Sequence, residues 1–389
     1  MMASEVLATA GMRVTLVDRM RAPGRKLLLA GRGGLNLTHS EPVSTLLTRY
    51  GTAAPALAPA IAAFGPDDLQ RWAHGLGEAT FVGSSGRVFP RSLRATPLLR
   101  AWLTRLDALG VERLGARAFH GWDPDGHPLI DGLLPGHTPL LLALGGASWP
   151  GSGSDGGWVD AVRARGVRVN DLRPANSGFL VEWSPVMVSR GAGQPLKNVA
   201  LSFGPHQARG EAMISAHGIE GGVVYALSSY IRDAIADAGP ATVQIDLRPD
   251  VPTARLSARI AAARRKKSIA GVLRTAAGLT PVGIALVREA SPDVPSEADA
   301  LAALVKAVPL RLHAPMDIAR AISSAGGIAL DEVDEAWMLH RVPGTYVAGE
   351  MLDWEAPTGG YLLQATFAIA VAAARGLLSR LDVPPPGRR

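Results

Sequence analysis

At 389 residues the chain is long enough for about two to three domains, and 47% hydrophobic against 19% charged residues excludes a disordered chain. Cysteine is absent, which removes disulfide scaffolds, thiolate metal ligands, cysteine nucleophiles and redox-active cysteine pairs together. The net charge of +6, carried almost wholly by arginine, permits an anionic partner without requiring one.

No basic stretch precedes the first apolar residues, so no leader peptide is visible and a cytoplasmic protein is expected. Residues 2–10 are helix formers closed by Gly11. Residues 13–18 then read as a short buried strand ending in Asp18. Helix, glycine, strand and acid make the second half of a βαβ unit, whose first strand and glycine-rich turn are expected upstream of Met1. A glycine- and arginine-rich loop runs from Ala22 to His39. Residues 66–77 and 95–109 read as helices on either side of Gly83 to Pro90, and 116–122 with 128–130 as a hairpin joined by Asp123-Pro-Asp-Gly126. A buried strand at 139–144 leads into the glycine-rich run from Gly145 to Gly157.

From about Asn176 the character changes. Short runs at 179–183, 199–203 and 242–247 indicate antiparallel strands, and 253–308 reads as short helices. Strand and helix alternate again from Ala314. The longest apolar stretch, Tyr361 to Ala374, is interrupted by Gln364 and Thr366, so no window reads as the ~20 apolar residues of a membrane span. It is expected as a buried helix, with no membrane partner, and the Pro-Pro-Pro-Gly-Arg-Arg tail as a flexible terminus. The expected division is a discontinuous α/β domain, 1–175 and 314–389, around a β-rich insert at 176–252 and a helical insert at 253–313.

Three clusters carry chemistry. An acid at the end of a dinucleotide-fold strand accepts hydrogen bonds from ribose hydroxyls, although a lone Asp18 reads equally well as a turn aspartate. The loop behind it changes the balance. Arg25, Lys26 and Arg32 place positive charge among the glycines Gly33 and Gly34, and Asn36 and Thr38 add hydrogen-bonding side chains. A solvated loop explains neither that density nor that length. Gly145 and Gly146, directly after a strand, let backbone pass close to a ligand. Gly151-Ser-Gly-Ser-Asp-Gly156 matches G-x-G-x-x-G, but too far from its strand, and reads better as a loop beside a cofactor than as a second nucleotide site.

The strongest cluster is C-terminal. Gly344 to Asp353, with Gly349, Glu350 and Asp353, reads as a strand ending in an acid, and Gly359-Gly-Tyr-Leu362 opens the apolar helix. A helix amino end of this kind favours negative charge. His217 is as readily a solvated loop residue as a substrate contact, and Arg264-Arg-Lys-Lys267 a solvated helix face rather than a nucleic-acid contact. No zinc spacing and no nucleophile elbow are present.

Taken together, Val17-Asp18, Pro23 to Lys26, Gly31 to Thr38, Gly86 to Pro90, Leu144 to Pro150 with Gly153 to Gly156, Gly326-Gly327, Ala348 to Asp353 and Gly359 to Tyr361 resemble one family. It is the NAD(P)/FAD-dependent oxidoreductases of the BaiN/YhiN type, a branch of the glutathione-reductase-like flavoproteins. The resemblance implies a Rossmann-type FAD-binding domain in two sequence halves, a β-barrel-like insert and a small helical domain. It also implies that Asp18 meets the adenosine ribose and that the loop from Lys26 to Thr38 lines FAD. Asp353 then meets the ribityl or pyrophosphate region, and Gly360 to Leu362 the flavin pyrimidine edge. The chain departs from the pattern at the absent first strand, at Gly34-Leu-Asn36 where relatives carry Arg-Cys-Asn, and at Leu362 where Asn is common.

The function so implied is an FAD-dependent oxidoreductase acting on a small molecule, with NAD(P)H or oxygen as second partner. Reduction of a carbon–carbon double bond and oxidation of a small amine both stay open, and no catalytic acid or base is assigned. The rivals are a truncated flavoprotein remnant with weak FAD binding and, last, a tRNA-modifying flavoprotein, which needs stacking aromatics that a 5% aromatic content supplies poorly.

Overall fold

The computed structural model describes residues 1–29, 34–133, 138–263 and 268–382. Arg32, Gly33, the Arg264 to Lys267 run and the proline-rich tail therefore lie outside the described residues. The chain divides into two compact units, Met1–Arg173 with Ser323–Arg389, and Pro174–Ile322.

In the first unit the helix Met2–Thr9 buries Met2, Ala3, Leu7 and Ala8, and Gly11 turns the chain at φ +84°. The strand Thr15–Asp18 follows and pairs in parallel with Glu112–Gly115, setting Asp18 opposite Gly115. A second parallel pair joins Leu140–Leu142 to Thr345–Val347. Parallel neighbours require crossover connections, so this unit is assembled from distant stretches of chain. A three-stranded antiparallel sheet (Thr38–His39, Arg87–Pro90, Thr80–Val82) and the hairpin Phe119–Trp122 with Pro128–Ile130 also belong to this unit.

The C-terminal helix Tyr361–Arg380 organises the core, packing on Met2–Thr9 and Ala54–Ala63. It is long and apolar enough to cross a membrane by length and composition, with a mean hydropathy of 1.5. That corrects the expectation that no such window exists. The physical reason is burial on most of its circumference, where alanine and valine replace a polar face. Phe367 shows the packing: its ring lies 5.0 Å from Trp72 and 5.4 Å from Trp102. Burying such a ring contributes about 1.5–3 kcal/mol.

The second unit is built on a seven-stranded sheet. Its order is Val308–Leu312, Ala241–Asp246, Pro195–Phe203, His206–Ser215, Gly218–Glu220, Phe179–Leu180, Ala314–Pro315. Every neighbouring pair is antiparallel. The helices Thr253–Ala263, Ile269–Thr275, Pro281–Ala290 and Ala298–Lys306 share one apolar cluster with that sheet. Local chemistry starts them: Ser268, Thr280 and Glu297 each accept a first-turn N–H, and Pro281 follows Thr280 at the first helical position. His217 sits exposed in the turn between two strands of this sheet.

Candidate functional site

Asp18 ends its strand half-buried, its Oδ1 accepting the Met20 N–H at 2.7 Å. Burial pushes its carboxyl above the ordinary value, opposed by that hydrogen bond and by the charges of Arg19 and Arg25. With Arg21, Pro23, Arg113 and Gly115 it lines a concave site at the carboxyl ends of two parallel strands, the side on which open α/β sheets take ligands. Gly115 makes the shape, since a Cβ there stands 2.3 Å from the Arg21 carbonyl oxygen. Exposed Arg25 flanks the site.

Lys26 begins the short turn Lys26–Leu29 and spends its ammonium on the protein. Nζ donates to Glu350 Oε2 at 2.6 Å, to Ser148 Oγ at 2.7 Å and to Ser154 Oγ at 3.4 Å, which uses the three donors an ammonium has. The second carboxylate oxygen of Glu350 accepts the Ser324 N–H at 2.8 Å, and Ser324 Oγ accepts the Ala147 N–H at 2.8 Å. Gly146 must be glycine here, because a Cβ stands 2.3 Å from Ser324 Oγ. Gly145, at φ +76°, approaches Ser154 in the same way.

The Gly151 to Gly156 loop folds back onto this cluster. Gly156 N–H donates to the Gly146 carbonyl at 3.0 Å, Asp155 pairs with Arg19 at 2.5 Å, and the following helix, Val159–Arg163, is five residues long. It is not a free-standing strand–turn–helix. Asp353 accepts from Asn170 Nδ2 at 2.6 Å, so Glu350, not Asp353, is the acid facing Lys26. The expected strand also stops at Val347, and Gly349 at φ +77° starts a short turn that aims Glu350.

The third group surrounds the amino end of Tyr361–Arg380. Asn36 Oδ1 is buried and finds no donor among the described residues. Two residues on, Thr38 Oγ1 donates to Gln364 Oε1 at 2.7 Å, both side chains fully buried, and Gln364 Nε2 donates to the Phe64 carbonyl at 2.8 Å. Gly360, the residue before the helix, lies in the left-handed region at φ +96°, with no side-chain cap. A Cβ there meets the Thr38 backbone, and one on Gly359 meets the Tyr361 ring at 2.6 Å. Gly34 likewise presses on the Leu93 carbonyl. Leu362 is half-buried in the first turn.

Tyr361 is held from several sides. Its carbonyl accepts from Tyr50 OH at 2.8 Å, His39 stacks on its ring at 5.3 Å, and the Arg49 guanidinium lies 5.8 Å over it. Glu41 is forked by Arg49 at 3.1 and 2.8 Å and stands near enough to the Tyr361 phenol to bear on its proton. Burial, then that carboxylate, push the phenol up to about 12. Sequence reasoning missed His39, Glu41, Arg49 and Tyr50. Elsewhere Asp123, Asp125 and His127 bring ligand-type atoms within 4.8 Å of one another, but Asp123 already accepts the His127 main-chain N–H in the hairpin turn.

A 3-dehydro-bile acid delta(4,6)-reductase of Clostridium scindens is 24% identical, with 95% of this chain and 93% of the relative covered. A ribosomal RNA dihydrouridine synthase of Escherichia coli is 25% identical, with 97% and 95% covered. Among solved structures, a flavocytochrome c3 fumarate reductase matches with a TM-score of 0.47 at 13% identity, covering 96% of this chain and 75% of that one. A 3-ketosteroid-delta4-(5alpha)-dehydrogenase of Rhodococcus jostii matches with a TM-score of 0.42 at 15% identity, covering 97% and 93%. The family model of the HI0933-like protein Rossmann domain matches residues 1–376, and the chain belongs to that family.

Proposed function

We propose that this chain is an FAD-dependent oxidoreductase that saturates a carbon–carbon double bond conjugated to a carbonyl. One observation carries the cofactor reading. Asn36 Oδ1 is a buried acceptor without a donor among the described residues, a costly state that calls for a partner, and the N3–H of an isoalloxazine ring is a donor of that kind. The other groups fit the same molecule. Asp18 offers the acceptor that adenosine ribose needs. Lys26 and Glu350, bonded to each other and to Ser148 and Ser324, would hold the Gly145–Gly146 turn in place beside the pyrophosphate and ribityl chain. Gly359, Gly360, Tyr361 and Leu362 form an uncapped helix end that favours negative charge at the pyrimidine edge. Arg32 and Gly33 belong to the same loop by sequence.

FAD, when bound, supplies hydride chemistry between NADH or NADPH and the substrate. The chain's own part is to bind and orient. Asn36 would fix one ring edge, the buried Thr38–Gln364 bond holds the helix against the segment that carries Asn36, and Lys26 holds Glu350 in place.

Two relatives support the substrate class. A delta(4,6)-reductase of a 3-oxo bile acid and a dihydrouridine synthase both name the addition of hydrogen to a double bond conjugated to a carbonyl. A small apolar enone is the first reading. An RNA uracil is the second, favoured by the ribosomal RNA enzyme. With 5% aromatic residues the chain offers few stacking platforms for single-stranded RNA.

The test is an absorbance spectrum of the protein with FAD, then anaerobic reduction by NADH or NADPH, then addition of a 3-oxo-4-ene steroid or of unmodified RNA. Bleaching followed by reoxidation with the steroid supports the first reading. Reoxidation by RNA alone moves the assignment to the second. Failure to take up FAD overturns the proposal.

A further inference from the structure

We infer that the Glu41–Arg49 ion pair sets the charge and position of the helix end that receives the flavin, so that these two residues tune its reduction potential. The inference rests on the FAD reading above. It starts from a geometric asymmetry. The Glu41 side chain is 11% exposed and that of Arg49 43%, so the carboxylate is withdrawn while the guanidinium reaches solvent. Arg49 lies over the ring of Tyr361, the first residue of the helix, and Glu41 is tied to that end through Arg49.

His39 stands beside the pair, its Nδ1 3.9 Å from Glu41 Oε2. His39 Nδ1 accepts the Glu41 main-chain N–H at 3.2 Å, and its Nε2 faces the Ser85 carbonyl at 3.0 Å. Those two contacts engage both ring nitrogens. Gly86 makes room for the ring, since a Cβ there stands 2.6 Å from His39 Cε1. Arg49 holds Glu41 through two guanidinium nitrogens.

The electrostatic consequence is direct. A helix amino end attracts negative charge, and a reduced flavin carries negative charge at N1 and the C2 carbonyl. An unbalanced carboxylate beside that end opposes reduction, and Arg49 cancels it. Removing either partner exposes the charge of the other, with opposite sign.

The experiment measures the midpoint potential of FAD bound to the full chain, by anaerobic dye-coupled reduction, in Glu41→Gln, Arg49→Gln, Arg49→Lys and the Glu41→Gln/Arg49→Gln double variant. Glu41→Gln is expected to raise the potential and Arg49→Gln to lower it. The double variant and Arg49→Lys are expected to stay close to wild type. One unit charge at a partly solvated site changes the ratio of affinities for reduced and oxidised flavin by about fivefold, or about 20 mV for a two-electron couple. Shifts in a common direction, a double variant displaced beyond both singles, or unmoved potentials overturn the inference and leave the FAD reading standing. If a single variant releases FAD, retention in the double variant supports charge balance and release there overturns it. A wild-type chain that takes up no FAD overturns the underlying reading as well.

Discussion

Gly360 is wedged against Thr38: a Cβ built on Gly360 stands 2.5 Å from both the carbonyl carbon and the carbonyl oxygen of Thr38. The glycine is required by the chain's own backbone, which brings the helix Tyr361–Arg380 onto the strand that carries Thr38. Its φ of +96° adds a second demand. Gly360→Ala is therefore expected to destabilise the fold itself by about 2–4 kcal/mol, from the clash and the strained backbone together. Urea unfolding of the FAD-free protein checks this, and an unchanged midpoint rules the wedge out.

That contact also marks what the sequence leaves legible. The helices Pro66–Gly75 and Ala95–Ala108, the strand Thr15–Asp18 and the hairpin across Asp123 to Gly126 are local, and hydrophobic spacing with turn residues specifies them. The strand His206–Ser215 escapes the same reading because its inward positions are polar or small until Ala212 and Ile214. Within the site, Asp18 and Lys26 stand out as a strand-end acid and a loop cation. Their partners do not. Lys26 meets Ser148 and Glu350 across 122 and 324 residues, and no local pattern encodes such pairings. The glycines are visible as a cluster, yet Gly146 and Gly360 face Ser324 and Thr38, so their meaning is fixed only by tertiary contact.

The Lys26–Glu350 pair joins the first and last parts of its unit, with side chains 29% and 17% exposed. Partial burial makes a lost partner costly, because the remaining charge keeps only neutral hydrogen bonds. Lys26→Met and Glu350→Gln are each expected to lower stability by about 1–3 kcal/mol, with a coupling of about 1–2 kcal/mol in the double-mutant cycle. A coupling indistinguishable from zero in urea unfolding removes the pair as a structural link.

Glu41 supplies a pH signature. The Arg49 fork, more than any other contact, holds its carboxyl below the ordinary value of 4.5. A depressed folded-state value stabilises above the unfolded one, and that stability is lost as pH falls through the folded value. Wild type is thus expected to exceed Glu41→Gln in stability by about 0.5–1 kcal/mol near neutral pH, in the range of exposed ion pairs. The two are expected to converge as the pH falls well below 4.5. Denaturant midpoints at the two pH values decide it, and a constant gap between the proteins contradicts the argument.

Asp18 behaves in the opposite sense, and this separates binding from stability. Burial raises its carboxyl above 3.8, so the folded protein holds that proton longer than the unfolded chain does. Stability then falls as pH rises from 3.8 through the folded value, and the ionised, half-buried carboxylate is a burden at neutral pH. Asp18→Asn lifts the burden while its amide oxygen still accepts the Met20 N–H. The FAD-free variant is expected to melt at the same or a higher temperature than wild type near neutral pH, an advantage that disappears in acid. FAD binding is expected to weaken about tenfold, as charge-assisted bonds to two ribose hydroxyls become neutral ones. Thermal melts of the FAD-free proteins and fluorescence titrations with FAD give both numbers. A lower melting temperature with undiminished FAD affinity would show that Asp18 serves the fold and not the cofactor.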